Sequence, residues 1–464
     1  MSNIDAILEQ IDANLPVSVE RFMRFLAFPS ISSQPEGKEG IVACAVWLRS
    51  ELESLGFEAR IVRTSGHPVV LGMSRSGSGS PGILLYGHYD VQPVEPLDAW
   101  TAPPFEPAFR DEDGLRRIYA RGASDSKSQV WSFIEALRAW KDTEGAIPVD
   151  VTVLLEGEEE TGSPSLPAFV DAYRDELACD VAYISDSDMW SPTRPAITTR
   201  LKGLLHEKIT IVAPNNDLHS GQFGNVAVNP LRVLTKVLAS IHDDHGRVTI
   251  DGFYDGVTPL PTELREQWAA LPVDEALAGV SVSGGSDEGG YGTIESMWGR
   301  PGIDFNGIVG GNTGSGERSV LPSSASARLS FRLVGEQKPE YIRRIFRNFV
   351  KGRLPPGCRV EFEGSGGNAA VSVNEDSPYL MATARALDAE WPERTLIKGT
   401  GGTVPLVRLL TDRLGVDCIV TGFILADDAI HGPNEHYDVE RLRKGTRSWA
   451  RILSELRDEK RQSP

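Results

Sequence analysis

Five short segments of this chain carry the residue types that hold cations or move protons. They are Gly87-His88-Tyr89-Asp90, Arg121 to Lys127 with Asp125 inside it, Glu156 to Ser163 with Glu158, Glu159 and Glu160 in a row, Ser185-Asp186-Ser187-Asp188, and His431-Gly432-Pro433-Asn434-Glu435. Each has a local explanation when taken singly. His-x-Asp recurs by chance, an aspartate just before a helix favours its N-terminus, a glutamate triplet makes an acidic turn, and Asp186 is a turn former. Capping does not explain acid or imidazole at the ends of buried strands five times over. Carboxylates brought together at one sheet edge repel unless a cation neutralises them. Two imidazoles and several carboxylates, with no cysteine, suit Zn²⁺ or Mn²⁺. Gly399-Thr400-Gly401-Gly402-Thr403 precedes a helix beginning near Val404. It lacks the Gly-Lys-Ser/Thr ending of a nucleotide loop, but its backbone N–H groups suit a carboxylate.

The elements that must position these segments are legible from apolar spacing. Ile7, Ile11, Leu15 and Val19, then Ala43, Leu48, Leu52 and Leu55, recur at helical intervals. Short apolar runs at Ile83–Tyr86, Val151–Leu155 and Val181–Ile184 suit parallel strands covered on both faces, with a helix through Val130, Ile134 and Leu137 between the first two. Near Lys202 the pattern changes to alternation, in His206–Val212 and again in Arg328–Leu333, with a helix from Asn229 through Leu231, Leu234, Leu238 and Ile241. That is the pattern of a sheet wet on one side. The α/β pattern returns with a helix through Leu380–Leu387, a strand at Cys418–Val420 and a helix through Leu442–Leu456. The expected fold is therefore α/β, a mixed and mostly parallel sheet flanked by helices, with a smaller α+β domain inserted. The expected boundaries are 1–201 and 375–464 for the catalytic domain and 202–374 for the insertion. Residues 76–82, rich in Ser and Gly, are expected to form a loop, and there is no internal repeat.

Composition sets outer limits. A chain of 464 residues exceeds what one core organises, so two domains are expected. A net charge of −18 repels phosphate backbones and argues against nucleic-acid binding. Cys44, Cys179, Cys358 and Cys418 lie far apart and form no C-x-x-C pair, as reduced thiols in a reducing compartment do. The Met-Ser-Asn-Ile-Asp-Ala start is unlike a signal peptide. No apolar run reaches about 18 residues, so no membrane span is expected. A cytoplasmic protein is the expectation.

The segments, in this order, resemble the co-catalytic metallopeptidase family that includes carnosinase-type dipeptidases, aminoacylases and succinyl-diaminopimelate desuccinylase. The resemblance covers nearly the whole chain. It rests on Gly-His-Tyr-Asp-Val-Gln-Pro (87–93), Arg-Gly-Ala-Ser-Asp-Ser-Lys (121–127), Glu-Glu-Thr-Gly-Ser (159–163), Asp-Leu-His-Ser-Gly (217–221) and His-Gly-Pro-Asn-Glu (431–435); the third and fourth lean toward the dipeptidase branch. It implies two divalent cations per subunit, one held by His88 and Asp186, the other by Glu160 and His431, with Asp125 bridging. Asp90 then orients the His88 ring, and Glu159 is the general base. Spacing alone does not choose among the three consecutive glutamates; the resemblance does, because base and ligand directly precede Thr-Gly-Ser. It also implies that His219 comes from the partner subunit of a homodimer formed through the inserted domain and stabilises the oxyanion. Arg332 would clamp the substrate carboxylate, with Thr403, Gly402 and Ser319 touching substrate. Ala120 and Ser128 replace glycines usual around the bridging aspartate, without removing a ligand. The implied activity is hydrolysis of an amide bond beside a free carboxylate, in dipeptides. An N-acyl-amino-acid deacylase would share every catalytic residue. A non-catalytic binding protein on the same scaffold would have little reason to keep Glu159.

Overall fold

The computed structural model describes residues 3–77, 79–277, 288–312, 314–402 and 404–459. The chain forms two compact units, one of Met1–Thr199, Val373–Ile397 and Leu406–Pro464, the other of Arg200–Ser372 with Lys398–Pro405.

The first unit is built on a sheet whose strands run Glu58–Val62, Val69–Ser74, Asp150–Glu156, Gly82–His88, Val181–Ile184 and Asp417–Thr421 in spatial order, followed by Ala196–Leu201. The four from Asp150–Glu156 to Asp417–Thr421 are mutually parallel. Every residue of Gly82–His88 and of Val181–Ile184 is buried, which is why these strands read as unbroken apolar runs. Gly82–His88 lies between two strands that both follow it in sequence: the chain goes on to Asp150–Glu156 on one side and then crosses to Val181–Ile184 on the other. Ligands bind outside the carboxyl ends of strands at such a switch point. Helices Asn3–Leu26, Lys127–Glu144 and Val439–Asp458 pack through a common core that contains Trp131, Trp140 and Trp449. Lys127–Glu144 is closed by Gly145, whose φ of 77° lets its N–H reach the Lys141 carbonyl.

A three-stranded sheet of Ala108–Glu112, Leu115–Tyr119 and His436–Asp438 also belongs to this unit. Hydrophobic patterning misses its hairpin because Arg110, Asp111, Glu112, Arg116 and Arg117 hide the alternation. The turn itself carries the signal: Asp113-Gly114, with φ of 54° and 79°, is the two-residue pair that suits a tight hairpin. The expected loop at 76–82 contains no strand before Gly82; Ser78 lies outside the described residues.

The second unit has a four-stranded antiparallel sheet in the order Gly302–Gly310, Ser324–Leu333, Gly203–Val212, Arg359–Glu363. Burial alternates along Gly203–Val212. Helices Pro230–Ala239 and Pro339–Lys351 share a core with Ile209, Ile211, Leu329 and Phe331 of the sheet. Pro230–Ala239 starts where Asn229 Oδ1 accepts the Leu231 N–H at 2.9 Å. The edge strand Gly302–Gly310 exposes Phe305, Ile308 and Val309. No helix among the described residues is long and apolar enough to cross a membrane. All four cysteines are free thiols.

Candidate metal centre

His88 ends its strand and is fully buried. Its Nδ1 lies 3.1 Å from the Asp90 carbonyl and 3.3 Å from Asp90 Oδ1, which fixes the ring. Its Nε2 faces Asp125 Oδ1 at 3.2 Å and Asp186 Oδ2 at 3.8 Å, yet makes no hydrogen bond. Asp125 stands just before the Lys127–Glu144 helix, and its Oδ2 lies 2.9 Å from His431 Nε2. Asp125 therefore stands between the two imidazoles. Asp186 stands two residues beyond the end of Val181–Ile184.

The Glu159–Thr161 turn follows the strand Asp150–Glu156. Asp90 does a second task here: its two oxygens accept the backbone N–H groups of Glu159 and Glu160 at 3.2 and 3.1 Å. Glu158 is turned elsewhere, its carboxylate accepting the N–H groups of His67 and Ser165 at 2.9 and 2.7 Å. Glu160 Oε2 accepts from Gln92 Nε2 at 2.7 Å and lies 3.4 Å from His431 Nε2, while its buried Oε1 has no partner. Sequence reasoning passed over Gln92, although it lies in the same segment as His88 and Asp90.

Two groups of potential ligands result: His88, Glu159 and Asp186, and Asp125, Glu160 and His431, with the ligand atoms of each within 4.8 Å of one another. The electrostatics are those of crowded acids. Burial and the charges of Asp125, Glu159 and Glu160 push Asp186 up to about 8, against the pull of His88. Burial also raises Glu159, with Glu160, Asp90 and Asp125 adding and His88 opposing. Burial would raise Asp125, but its contacts with His431 and His88 hold it well below the usual carboxylate range. Burial would lower His88, but the adjoining carboxylates of Asp125 and Asp90 hold it well above its ordinary value. Asp125 and Glu160 push His431 up to about 10. A divalent cation pair fits this donor set. It would give the unpartnered His88 Nε2 and Glu160 Oε1 a partner and relieve the repulsion.

One consequence is measurable. His431 carries a proton below about 10 in the protein alone, and a ligating imidazole must be neutral. Uptake of cations should therefore release protons and strengthen as pH rises, by roughly tenfold per unit for each proton shed. Calorimetry at neutral pH in buffers of different ionisation heat will read that release. An affinity indifferent to pH would contradict it.

In the second unit, His219 is exposed, and its Nδ1 accepts the Gly221 N–H at 3.1 Å. It pairs with Val320 across a two-stranded ladder, beside Ser319, whose carbonyl accepts the Ser220 N–H at 2.9 Å. Arg332 lies on the sheet strand Ser324–Leu333. Gly402 is exposed and donates its N–H to Thr400 Oγ1 at 3.1 Å. Thr403 lies outside the described residues.

Paired groups of carboxylates and imidazoles at the carboxyl ends of the parallel central strands fit a metallohydrolase. Residues 84–455 match peptidase family M20/M25/M40, and the chain belongs to that family. The Cys-Gly metallodipeptidase of Candida albicans is 28% identical over 469 residues, 96% of each chain. The human Beta-Ala-His dipeptidase is 27% identical over 399 residues, 84% of this chain and 77% of that protein. An M20 family metallo-carboxypeptidase from Sulfolobus solfataricus matches with a TM-score of 0.76 at 28% identity, over 95% of this chain and 99% of that one. The family expected from the motifs and the fold class expected from apolar spacing are both borne out.

Proposed function

We propose that this protein hydrolyses dipeptides with a free carboxylate, using two divalent cations, Zn²⁺ or Mn²⁺, per subunit. The observation that carries this is the juxtaposition of the two ligand groups, with Asp125 in contact distance of both imidazoles. His88 and Asp186 would hold one cation, Glu160 and His431 the other, and Asp125 would bridge. Cations so held would supply Lewis acidity, enough to polarise a carbonyl and to make water more acidic. Glu159 is the general base: it takes the proton from the attacking water and delivers it to the leaving amine. Its raised affinity for a proton supports that role. Asp90 holds His88 and the Glu159–Glu160 backbone in place. Arg332 is assigned to the substrate carboxylate, His219 to the oxyanion, and Ser319, Gly402 and Thr403 to substrate contact.

The dipeptidase names of the relatives favour this substrate class over N-acyl amino acids. The apolar side chains exposed on the edge strand Gly302–Gly310 support a homodimer formed through the inserted domain, since an unpaired edge invites a partner. Free thiols at all four cysteines support a cytoplasmic setting.

The test is a panel of dipeptides, their N-acetylated counterparts and tripeptides, run on apoprotein reloaded with each metal. Free dipeptides should be turned over fastest, and only after reloading. Preference for the N-acetylated set would instead identify a deacylase.

A further inference from the structure

The residues that meet at the candidate centre come from segments far apart in the sequence, yet Asp125 and His431 face each other at 2.9 Å. We propose that the buried pair Arg121–Glu435 is the positioning device that sets this spacing, and so governs binding of the cation held by Glu160 and His431. The inference rests on the assignment of Asp125 and His431 as cation-holding residues.

Glu435 is fully buried and accepts four hydrogen bonds. Oε2 takes Arg121 Nη1 and the Gly122 N–H, each at 2.8 Å. Oε1 takes the N–H groups of Ser124 and Asp125, at 2.8 and 2.9 Å. The turn that carries Asp125 is thus wrapped around the Glu435 carboxylate. Its tightness depends on Gly122, where φ is +81° and an added Cβ would stand 2.6 Å from Val91 Cγ1. Arg121 completes the device from the other side. Its Nη2 donates to the carbonyl of His431 at 3.2 Å and to that of Pro93 at 2.9 Å. One ion pair therefore grips the backbone of Asp125 and of His431, and ties both to the segment that follows Asp90.

The surrounding backbone makes the same join. Ala120 N–H donates to the Glu435 carbonyl at 3.1 Å, and His436 pairs with Tyr119 at the edge of the hairpin. The side-chain pair adds something that this ladder does not: it bonds to Asp125 and His431 themselves. Stability is a poor reason for it, because a buried ion pair contributes little more than the apolar residues that could replace it. Geometry is a better one. Removing groups that orient a metal ligand typically weakens metal binding by about 10- to 100-fold.

Glu435→Gln keeps the shape but turns an NH₂ group toward donors that need an acceptor. Arg121→Lys keeps a positive charge and the three backbone bonds to Glu435, but one ammonium cannot reach all three of the oxygens that Arg121 reaches. It carries the test should Glu435→Gln fail to fold. Both variants, wild type and His431→Ala would be titrated with Mn²⁺ by calorimetry, and their melting followed without metal. The expected result is a Kd increase of about 10- to 100-fold for the ion whose binding His431→Ala abolishes, with a smaller loss for the other ion, which meets the device only through Asp125. Folded variants that bind both ions with wild-type affinity, or that lose only melting temperature, would overturn the positioning role. A wild-type protein that took up no pair of ions would overturn the assignment of the centre itself, and this role with it.

Discussion

Glu159→Gln should lower kcat by about 10²- to 10⁴-fold, the usual contribution of a positioned general base, while the protein still takes up two cations. The reason lies in how the side chain is placed. Glu159 stands within reach of His88 and Asp186, but the turn that presents it is held by Asp90 through the backbone N–H groups of Glu159 and Glu160. Glutamine keeps that backbone bond and the side-chain volume, and removes only the ability to accept a proton. Metal content and melting temperature should therefore stay near wild type, and the loss should fall on kcat with little change in KM. Steady-state kinetics on the metal-loaded variant, with metal content measured on the same sample, decide it. Activity at the wild-type level would move the base to another residue.

Asp125→Ala should be more severe, because among the described residues this carboxylate alone lies in contact distance of both imidazoles. Activity should fall to background at any metal concentration. The same substitution should also abolish the stabilisation that metal confers. A ligand that binds only the folded state stabilises it by about 2.7 kcal/mol at 100 times its Kd and about 4.1 kcal/mol at 1,000 times. Wild-type protein should melt at a higher temperature with each rise in free metal. Asp125→Ala should melt at the same temperature throughout. A variant that still gained stability from metal and still turned over dipeptides would show that the bridge is dispensable.

Much of this was legible in the chain itself. The strands Gly82–His88, Asp150–Glu156 and Val181–Ile184 advertise themselves as unbroken apolar runs because both faces are covered, and the candidates His88, Glu159, Glu160 and Asp186 stand where those runs stop. The choice among Glu158, Glu159 and Glu160 was not legible from spacing, since a tight turn obeys neither helical nor strand periodicity. The folded chain sets Glu158 apart, turned to His67 and Ser165, while Glu159 and Glu160 both enter the ligand groups. The hairpin at Ala108–Tyr119 was lost among alternating charges. The Arg121–Glu435 pair was not legible: both residues stand in the singled-out segments, but they lie 314 positions apart and nothing in either segment pairs them.

The split of the first unit has a consequence for the birth of the protein. Arg200–Ser372, most of the second unit, is one continuous stretch, and all of it has left the ribosome before the strand Asp417–Thr421, His431 or Glu435 has been made. Domains tend to fold as they are synthesised, at about 5–20 residues per second. The later-numbered unit can thus mature first. Its elder neighbour waits with an acid-lined sheet edge and an unclasped Asp125 turn until the closing segment arrives. A nascent chain stalled before residue 431 would lack His431, Glu435 and the core helix Val439–Asp458 alike.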